Sequence, residues 1–225
     1  MTQRQYHSTK KKIFIVDDHP IVREGLTTII SHDEDFEVCG EADEPQEALK
    51  AVSELRPDVV IVDITLKHSD GIELTKSLKA RYPRLPVIIL SIHDEFTYAE
   101  RALRAGARGY LMKEVVSDKI TAAIRTVLAG EIYVSSTMAK RILRTLAGDR
   151  ADMMIAPTDG LSDRELEIFR LIGQGYKPSK IAQSMHLSVK TVETYRARIK
   201  EKLNLTDADE LLRYAIQWVN SAYET

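Results

Sequence analysis

Cysteine is almost missing from this chain: Cys39 is the only one in 225 residues. One thiol excludes an intramolecular disulfide framework and any multi-cysteine zinc site, and it suits a reducing compartment. No apolar run approaches about 18 residues, so no segment reads as a membrane-spanning helix. The opening MTQRQYHSTKKK has no apolar stretch behind its charges, so it does not read as a secretory signal. Excess charge is missing too. The 32 basic and 34 acidic residues leave a formal net charge of -2, which argues against holding nucleic acid or anionic membrane by bulk charge. What is present is a globular balance, 44% apolar and 29% charged, in a length that suits one large or two small domains. A soluble, cytoplasmic protein is expected.

The first half alternates two periodicities. IFIV (Ile13 to Val16), VVIV (Val59 to Val62) and VIIL (Val87 to Leu90) are short, β-branched runs that suit strands buried on both faces of a parallel sheet. Phe36 to Gly40 and Gly109 to Leu111 supply two weaker strands. Segments with helical spacing lie between them, two opening at Pro20 and Pro45. Five βα units predict an α/β doubly wound, flavodoxin-like domain with a five-stranded parallel sheet over residues 11–130. A linker with one helix, from about Ser135 to Leu146, is expected over 131–160, where Gly148 to Gly160 concentrates Gly, Pro and Asp. Residues 161–225 read as a small all-α domain. Ser162 with Glu165 forms a capping box there, Pro178 opens a short helix, and Ser188 caps a longer one.

Polar residues gather at the predicted strand ends. Asp17 and Asp18 close the first strand, Asp63 the third, Ser91 the fourth and Lys113 the fifth. In a doubly wound sheet of order 2-1-3-4-5 these ends share one crevice. One aspartate after a strand is most often a turn or a cap, but five polar ends together are hard to assign to chance. Clustered carboxylates suit a hard divalent cation such as Mg²⁺, and lysine and serine can hold phosphoryl oxygens. Asp63, single and central, is the candidate nucleophile toward a phosphoryl group. His19, His68 and His93 show no zinc spacing and read as loop surface.

IVDDHP (Val16 to Pro20), VDITLKHSDG (Val62 to Gly71), LSIHD (Leu90 to Asp94) and GARGYLMKE (Gly106 to Glu114) resemble the receiver domain of two-component response regulators. The resemblance implies that Asp63 accepts phosphate from a cognate sensor histidine kinase. It implies Mg²⁺ binding by Asp17, Asp18, Asp63 and the Thr65 backbone carbonyl, with Ser91 and Lys113 on the phosphoryl oxygens. Tyr110 matches the switch aromatic that moves inward, with a half-buried strand aromatic as the alternative. Leu66 and Lys67 stand where the family often has Met-Pro, and Glu114 where many relatives have Pro. No ligand is lost by these changes.

From Lys177 to Lys202 there are seven basic and two acidic residues. A short helix, a tight turn and a Ser-capped helix make a helix-turn-helix. Val192, Ile199 and Leu203 are expected to face inward, and Ile168, Leu171 and Leu187 to be core. Leu161 to Leu205 resembles the LuxR-type DNA-binding domain, so the chain is similar to a NarL/FixJ-type response regulator, a regulator and not an enzyme. Lys177-Pro178-Ser179 and Tyr195 depart from the common pattern. Lys190, Glu193, Thr194 and Ala197 are candidates for base edges. Lys180, Thr191, Tyr195, Arg198 and Lys200 are candidates for phosphates on double-stranded DNA. Leu211, Ala215 and Trp218 share one face of the last helix, which is either core or the seam of a homodimer on inverted or tandem half-sites. The expected function is transcription control in which phosphorylation of Asp63 governs dimerisation and DNA binding. The rivals are a phosphorylation-independent regulator whose receiver only dimerises, and an aspartyl-phosphate phosphatase, which would need an acid where Thr65 stands.

Overall fold

The computed structural model describes residues 10–66, 69–92, 95–146, 157–185 and 187–223. It divides into two compact units, Met1–Arg144 and Thr145–Thr225. In the first, the strands are β1 (Lys11–Val16), β2 (Phe36–Ala42), β3 (Val59–Asp63), β4 (Thr65–Leu66), β5 (Ser69–Asp70), β6 (Val87–Ser91) and β7 (Gly109–Met112). Its helices are α1 (Pro20–Ser31), α2 (Pro45–Leu55), α3 (Gly71–Arg81), α4 (Glu95–Arg104), α5 (Val116–Leu128) and α6 (Ser136–Leu146). Five strands form a parallel sheet in the order β2-β1-β3-β6-β7, the predicted doubly wound arrangement.

The continuous apolar runs are central strands because both of their faces are covered. All five residues of β3 and all five of β6 are buried. Ile13, Ile15, Val59, Ile61, Ile88 and Leu90 point to one side, into a core with Leu26 and Ile30 of α1 and Ile120 and Ile124 of α5. The alternate residues Phe14, Val60 and Ile89 are equally buried and face the other way by the period-two rule.

The register fixes the crevice. Val16 stands opposite Val62, so the chain emerges from β1 and β3 side by side with Asp17 and Asp63 at the exit. Asp63 stands opposite Leu90, and Ser91 opposite Met112. After Asp63 the chain makes the small antiparallel pair β4–β5, and Asp70 then caps α3 by accepting from the Ile72 N–H at 2.8 Å. Gly71 is required at that junction. A Cβ there would press into the Asp63 carbonyl oxygen.

The first residues of the expected linker are bonded to the first unit. Tyr110 N–H donates to Tyr133 O, and Tyr133 N–H to Arg108 O, both at 2.9 Å, so the chain after α5 returns to the β7 edge. Ser135 N–H donates to Glu95 Oε1 at 2.9 Å, Ser135 Oγ caps α6 at Met138 N–H, and Met138 is buried. Residues 131–144 therefore belong to the first unit. The Gly148 to Gly160 stretch lies mostly outside the described residues; Pro157–Gly160 forms a helical turn.

The second unit carries α7 (Asp163–Gly173), α8 (Pro178–Ser184), α9 (Val189–Leu203) and α10 (Ala208–Tyr223). The Ser162–Glu165 capping box opens α7. Ile168, Phe169, Ile181, Val192, Ile199 and Leu211 are buried. Leu187 and Leu203 are only half-buried, the first in the turn between α8 and α9 and the second at the last position of α9. Gly173 lets α7 approach α10 closely, since a Cβ there would strike the Ala215 carbonyl oxygen. No helix among the described residues is long and apolar enough to cross a membrane.

Candidate functional site

The strand ends of the first unit bring Asp17, Asp63 and Lys113 into direct contact. Lys113 Nζ donates to Asp17 Oδ2 at 2.7 Å and to Asp63 Oδ2 at 2.9 Å. Both carboxylates are almost fully buried, at 1% and 3% exposure. Thr65 N–H donates to the other Asp63 oxygen at 3.3 Å, so Thr65 meets Asp63 through its amide. Ser91 and Tyr110 are completely buried, at the end of β6 and in β7. Tyr110 is thus enclosed more completely than a half-buried strand aromatic would be.

The electrostatics follow from burial. Desolvation pushes the Asp63 carboxyl up to about 6; the Lys113 ammonium pulls it down, and neighbouring Asp17 adds to the rise. Lys113 is raised above its ordinary range: burial disfavours its charge, but Asp63 and Asp17 outweigh that.

Asp18 supplies the informative atom. Its Oδ1 is buried without a hydrogen-bond partner. The His19 ring lies close by, with Nδ1 2.8 Å away, but not aligned to bond it. A buried carboxylate oxygen without a donor is costly, and a cation beside it removes that cost. Asp17, Asp18, His19 and Asp63 each offer a ligand atom within 4.8 Å of one another. The donor set fits a hard divalent ion such as Mg²⁺.

Two residues here make contacts that were not expected from sequence. His19, expected as loop surface, stands at the carboxylates. Arg23 Nη1 donates to the Asp17 carbonyl oxygen at 2.6 Å while its Nε donates to Glu41 Oε2 at 3.0 Å; Thr27 Oγ1 donates to the other Glu41 oxygen at 2.9 Å. Arg23 thus braces the backbone at Asp17 from α1, itself held by Glu41 of β2. Its only sequence signal is its place one turn into the helix that follows Asp17-Asp18. Lys67, His68 and His93 lie outside the described residues.

In the second unit, α8 and α9 present the basic segment. Lys180, Lys190, Glu193, Thr194, Ala197 and Arg198 are exposed, and Thr191, Tyr195 and Lys200 half-buried. Several already have local partners. Ser188 Oγ accepts from Thr191 N–H at 3.0 Å and meets its hydroxyl at 2.8 Å. Thr194 Oγ1 donates to the Lys190 carbonyl at 3.0 Å, and Arg196 Nη1 donates to Glu193 Oε1 at 2.8 Å. The Arg198 guanidinium lies 6.0 Å from the Tyr195 ring centre. Lys202 reaches across from α9 to Glu165 Oε2 at 2.6 Å. Burial raises the Glu165 carboxyl, but the bonds from Lys202 and Ser162 prevail and hold it below its usual range.

Of the stripe expected as either core or dimer seam, two of the three residues are core. Leu211 and Ala215 are fully buried within the single chain, where α10 packs on α7 beside Gly173, and the half-buried Trp218 lies 5.7 Å from Phe169 between ring centres. Leu211 and Ala215, enclosed by their own chain, offer no surface to a second copy.

Residues 13–125 match the response regulator receiver domain, and residues 159–215 match the bacterial regulatory proteins of the luxR family. The response regulator GacA of Pseudomonas aeruginosa is 36% identical over 207 residues, covering 92% of this chain and 95% of the relative. The oxygen regulatory protein NreC of Staphylococcus epidermidis is 36% identical over 211 residues, covering 92% and 97%. Among solved structures, a LuxR-family two-component response regulator from Aurantimonas sp. superposes with a TM-score of 0.57 at 33% identity, over 62% of this chain and 99% of that one. RcsB of Salmonella enterica serovar Typhimurium, bound to a promoter with the phosphomimetic BeF3-, superposes at 0.55 with 25% identity, over 91% and 97%.

Proposed function

This chain belongs to the two-component response regulators with a LuxR-type DNA-binding domain, and on that premise we propose that phosphorylation of Asp63 by a sensor histidine kinase in the cytoplasm controls its pairing on DNA. Regulation of transcription through DNA binding follows from the family itself. The observation that carries the finer reading is the Lys113 ammonium bridging two buried carboxylates at 2.7 and 2.9 Å.

In this reading an Asp63 carboxylate oxygen attacks phosphorus and the kinase histidine nitrogen leaves, giving an acyl phosphate. Lys113 exchanges its contact with Asp63 for a phosphoryl oxygen while keeping Asp17, and Ser91 donates to another. Asp17, Asp18, Asp63 and the Thr65 carbonyl would hold Mg²⁺, which neutralises charge on the transferring group. Withdrawal of the Ser91 hydroxyl toward the phosphoryl group makes room beside Tyr110 in β7. The neighbouring Tyr133 bonds carry that change to the segment before α6.

The receiver role falls to residues 11–130 with their extension to 144, and the DNA-binding role to residues 161–225. Lys190, Glu193, Thr194 and Ala197 meet base edges, with Glu193 first leaving Arg196. Lys180, Thr191, Tyr195, Arg198 and Lys200 meet phosphates. A homodimer on inverted or tandem half-sites pairs through the exposed Leu212 and Ile216, one turn apart on α10.

The test is a gel shift of the full chain on genomically selected DNA, with and without acetyl phosphate and Mg²⁺. Wild type should gain affinity at least about tenfold and Asp63→Ala should not, a coupling of about 1.4 kcal/mol. Equal affinity in all four samples would leave a constitutive DNA-binding regulator and end the phosphorylation reading.

A further inference from the structure

His19 is placed against the carboxylates by its backbone. Pro20 opens α1, and the residue before a proline is kept out of the helical region; His19 adopts φ -98°, ψ 107°. From that extended link its N–H donates to Asp17 Oδ1 at 2.8 Å. The ring folds over the same pair, with Nδ1 3.1 Å from Asp17 Oδ1 and 2.8 Å from Asp18 Oδ1. Lys113 occupies the opposite side of Asp17, on Oδ2.

Those separations have a chemical meaning. Ligands about 2.1 Å from one ion, in adjacent octahedral positions, stand about 3.0 Å apart. Asp18 Oδ1, the buried atom lacking a hydrogen-bond partner, is the one nearest the imidazole. The ring side chain is 58% exposed, so solvent reaches this flank and can fill the remaining positions.

We propose that His19 Nδ1 is a metal ligand, which gives the pocket one nitrogen beside its carboxylate oxygens and a preference for a first-row transition cation such as Mn²⁺ over Mg²⁺. This rests on the pocket being the cation site of the proposed function. Imidazole nitrogen is a good ligand for first-row transition ions, whereas Mg²⁺ is matched to oxygen and water. When the metal is bound, Nδ1 presents its lone pair and the ring proton sits on Nε2.

The test uses the full chain loaded with one equivalent of Mn²⁺ and read by electron spin-echo envelope modulation. A coupling from a directly bound ¹⁴N is expected, and its loss in both His19→Asn and His19→Gln. In parallel titrations those variants should bind Mn²⁺ about tenfold more weakly while Mg²⁺ affinity stays near the wild-type value. Bound Mn²⁺ with oxygen-only coordination overturns the proposal and leaves the pocket reading intact. So does a nitrogen coupling that survives in both variants, because another of the six histidines would then be its source. Failure of the wild type to bind either ion overturns the proposal together with the pocket reading.

Discussion

At the scale of single residues, Asp63 loses more by desolvation than Lys113 returns, and Asp17 adds repulsion, so its carboxyl titrates at about 6. The folded state then holds this proton more tightly than the unfolded chain, where the carboxyl titrates near 3.8. Stability must fall as pH rises through the interval from about 4 to about 6, and the cost persists above it. In metal-free protein at pH 7, Asp63→Asn should therefore raise stability, by up to about 3 kcal/mol. Saturating Mg²⁺ should shrink the gain. Urea denaturation at pH 5 and pH 7, with and without Mg²⁺, measures it; a variant less stable than wild type at pH 7 contradicts the account. Asp17, Asp18, Asp63 and Ser91 were legible as strand ends because the IFIV, VVIV and VIIL runs before them are unmistakable, whereas Lys113 follows the weaker GYLM run. His19 and Arg23 were not, because a ring turned back by Pro20 and a guanidinium reaching a carbonyl are tertiary facts without periodicity.

Elements hold these residues in place through a few backbone contacts. Gly71 starts α3 directly against the Asp63 carbonyl, so Gly71→Ala must move either the helix or Asp63. A loss of about 2 kcal/mol is expected, with phosphorylation by acetyl phosphate slowed at a temperature where circular dichroism still shows folded protein. A wild-type rate would mean that the junction does not position Asp63. In the second unit the capping box of α7 is tied to α9 by Lys202 and Glu165. Glu165 is 3% exposed and titrates below its ordinary range. Its contribution is present above the unfolded pKa near 4.5 and lost as pH falls through the lower folded value. Lys202→Met should cost about 1 to 2 kcal/mol at pH 7 and progressively less below pH 4.5, the opposite trend to Asp63. A cost independent of pH would remove the ion pair from the explanation. The β3 and β6 runs and the capping box could be read in advance. The β4–β5 pair could not, since two-residue strands have no period. Nor could the return of Tyr133 to the β7 edge, which is made by backbone bonds. The α10 stripe was ambiguous because a core face and a dimer seam share the i, i+4 spacing. Gly173 opposite Ala215 places Ala215 in the core, and Leu212 and Ile216 of α10 are exposed.

Across the whole molecule, the near-zero net charge conceals a local contrast. Residues 159–225 contain ten basic and ten acidic residues, while Lys177 to Lys202 alone carries seven against two. One of those two acids is also committed: Arg196 already engages Glu193. The DNA-binding unit therefore has a basic face on a neutral body, and its attraction for DNA acts at contact range more than by long-range steering. With five phosphate contacts per protomer, from Lys180, Thr191, Tyr195, Arg198 and Lys200, not all of them cationic, log affinity should fall against log salt with a slope no steeper than about -4.5. Pairing should double that slope. Fluorescence anisotropy across a salt series, on one half-site and on two, reads both values. Removing one cation by Arg198→Ala should flatten the slope by about 1 per protomer and weaken all sequences alike. If it instead relaxes preference at a single base pair, Arg198 belongs among the base contacts. If phosphorylation acts by pairing protomers, acetyl phosphate should steepen the slope on the two-half-site DNA at concentrations where the unphosphorylated chain binds singly, and leave the one-half-site slope as it was. An equal slope before and after phosphorylation on both DNAs would mean that Asp63 controls something other than the number of protomers bound.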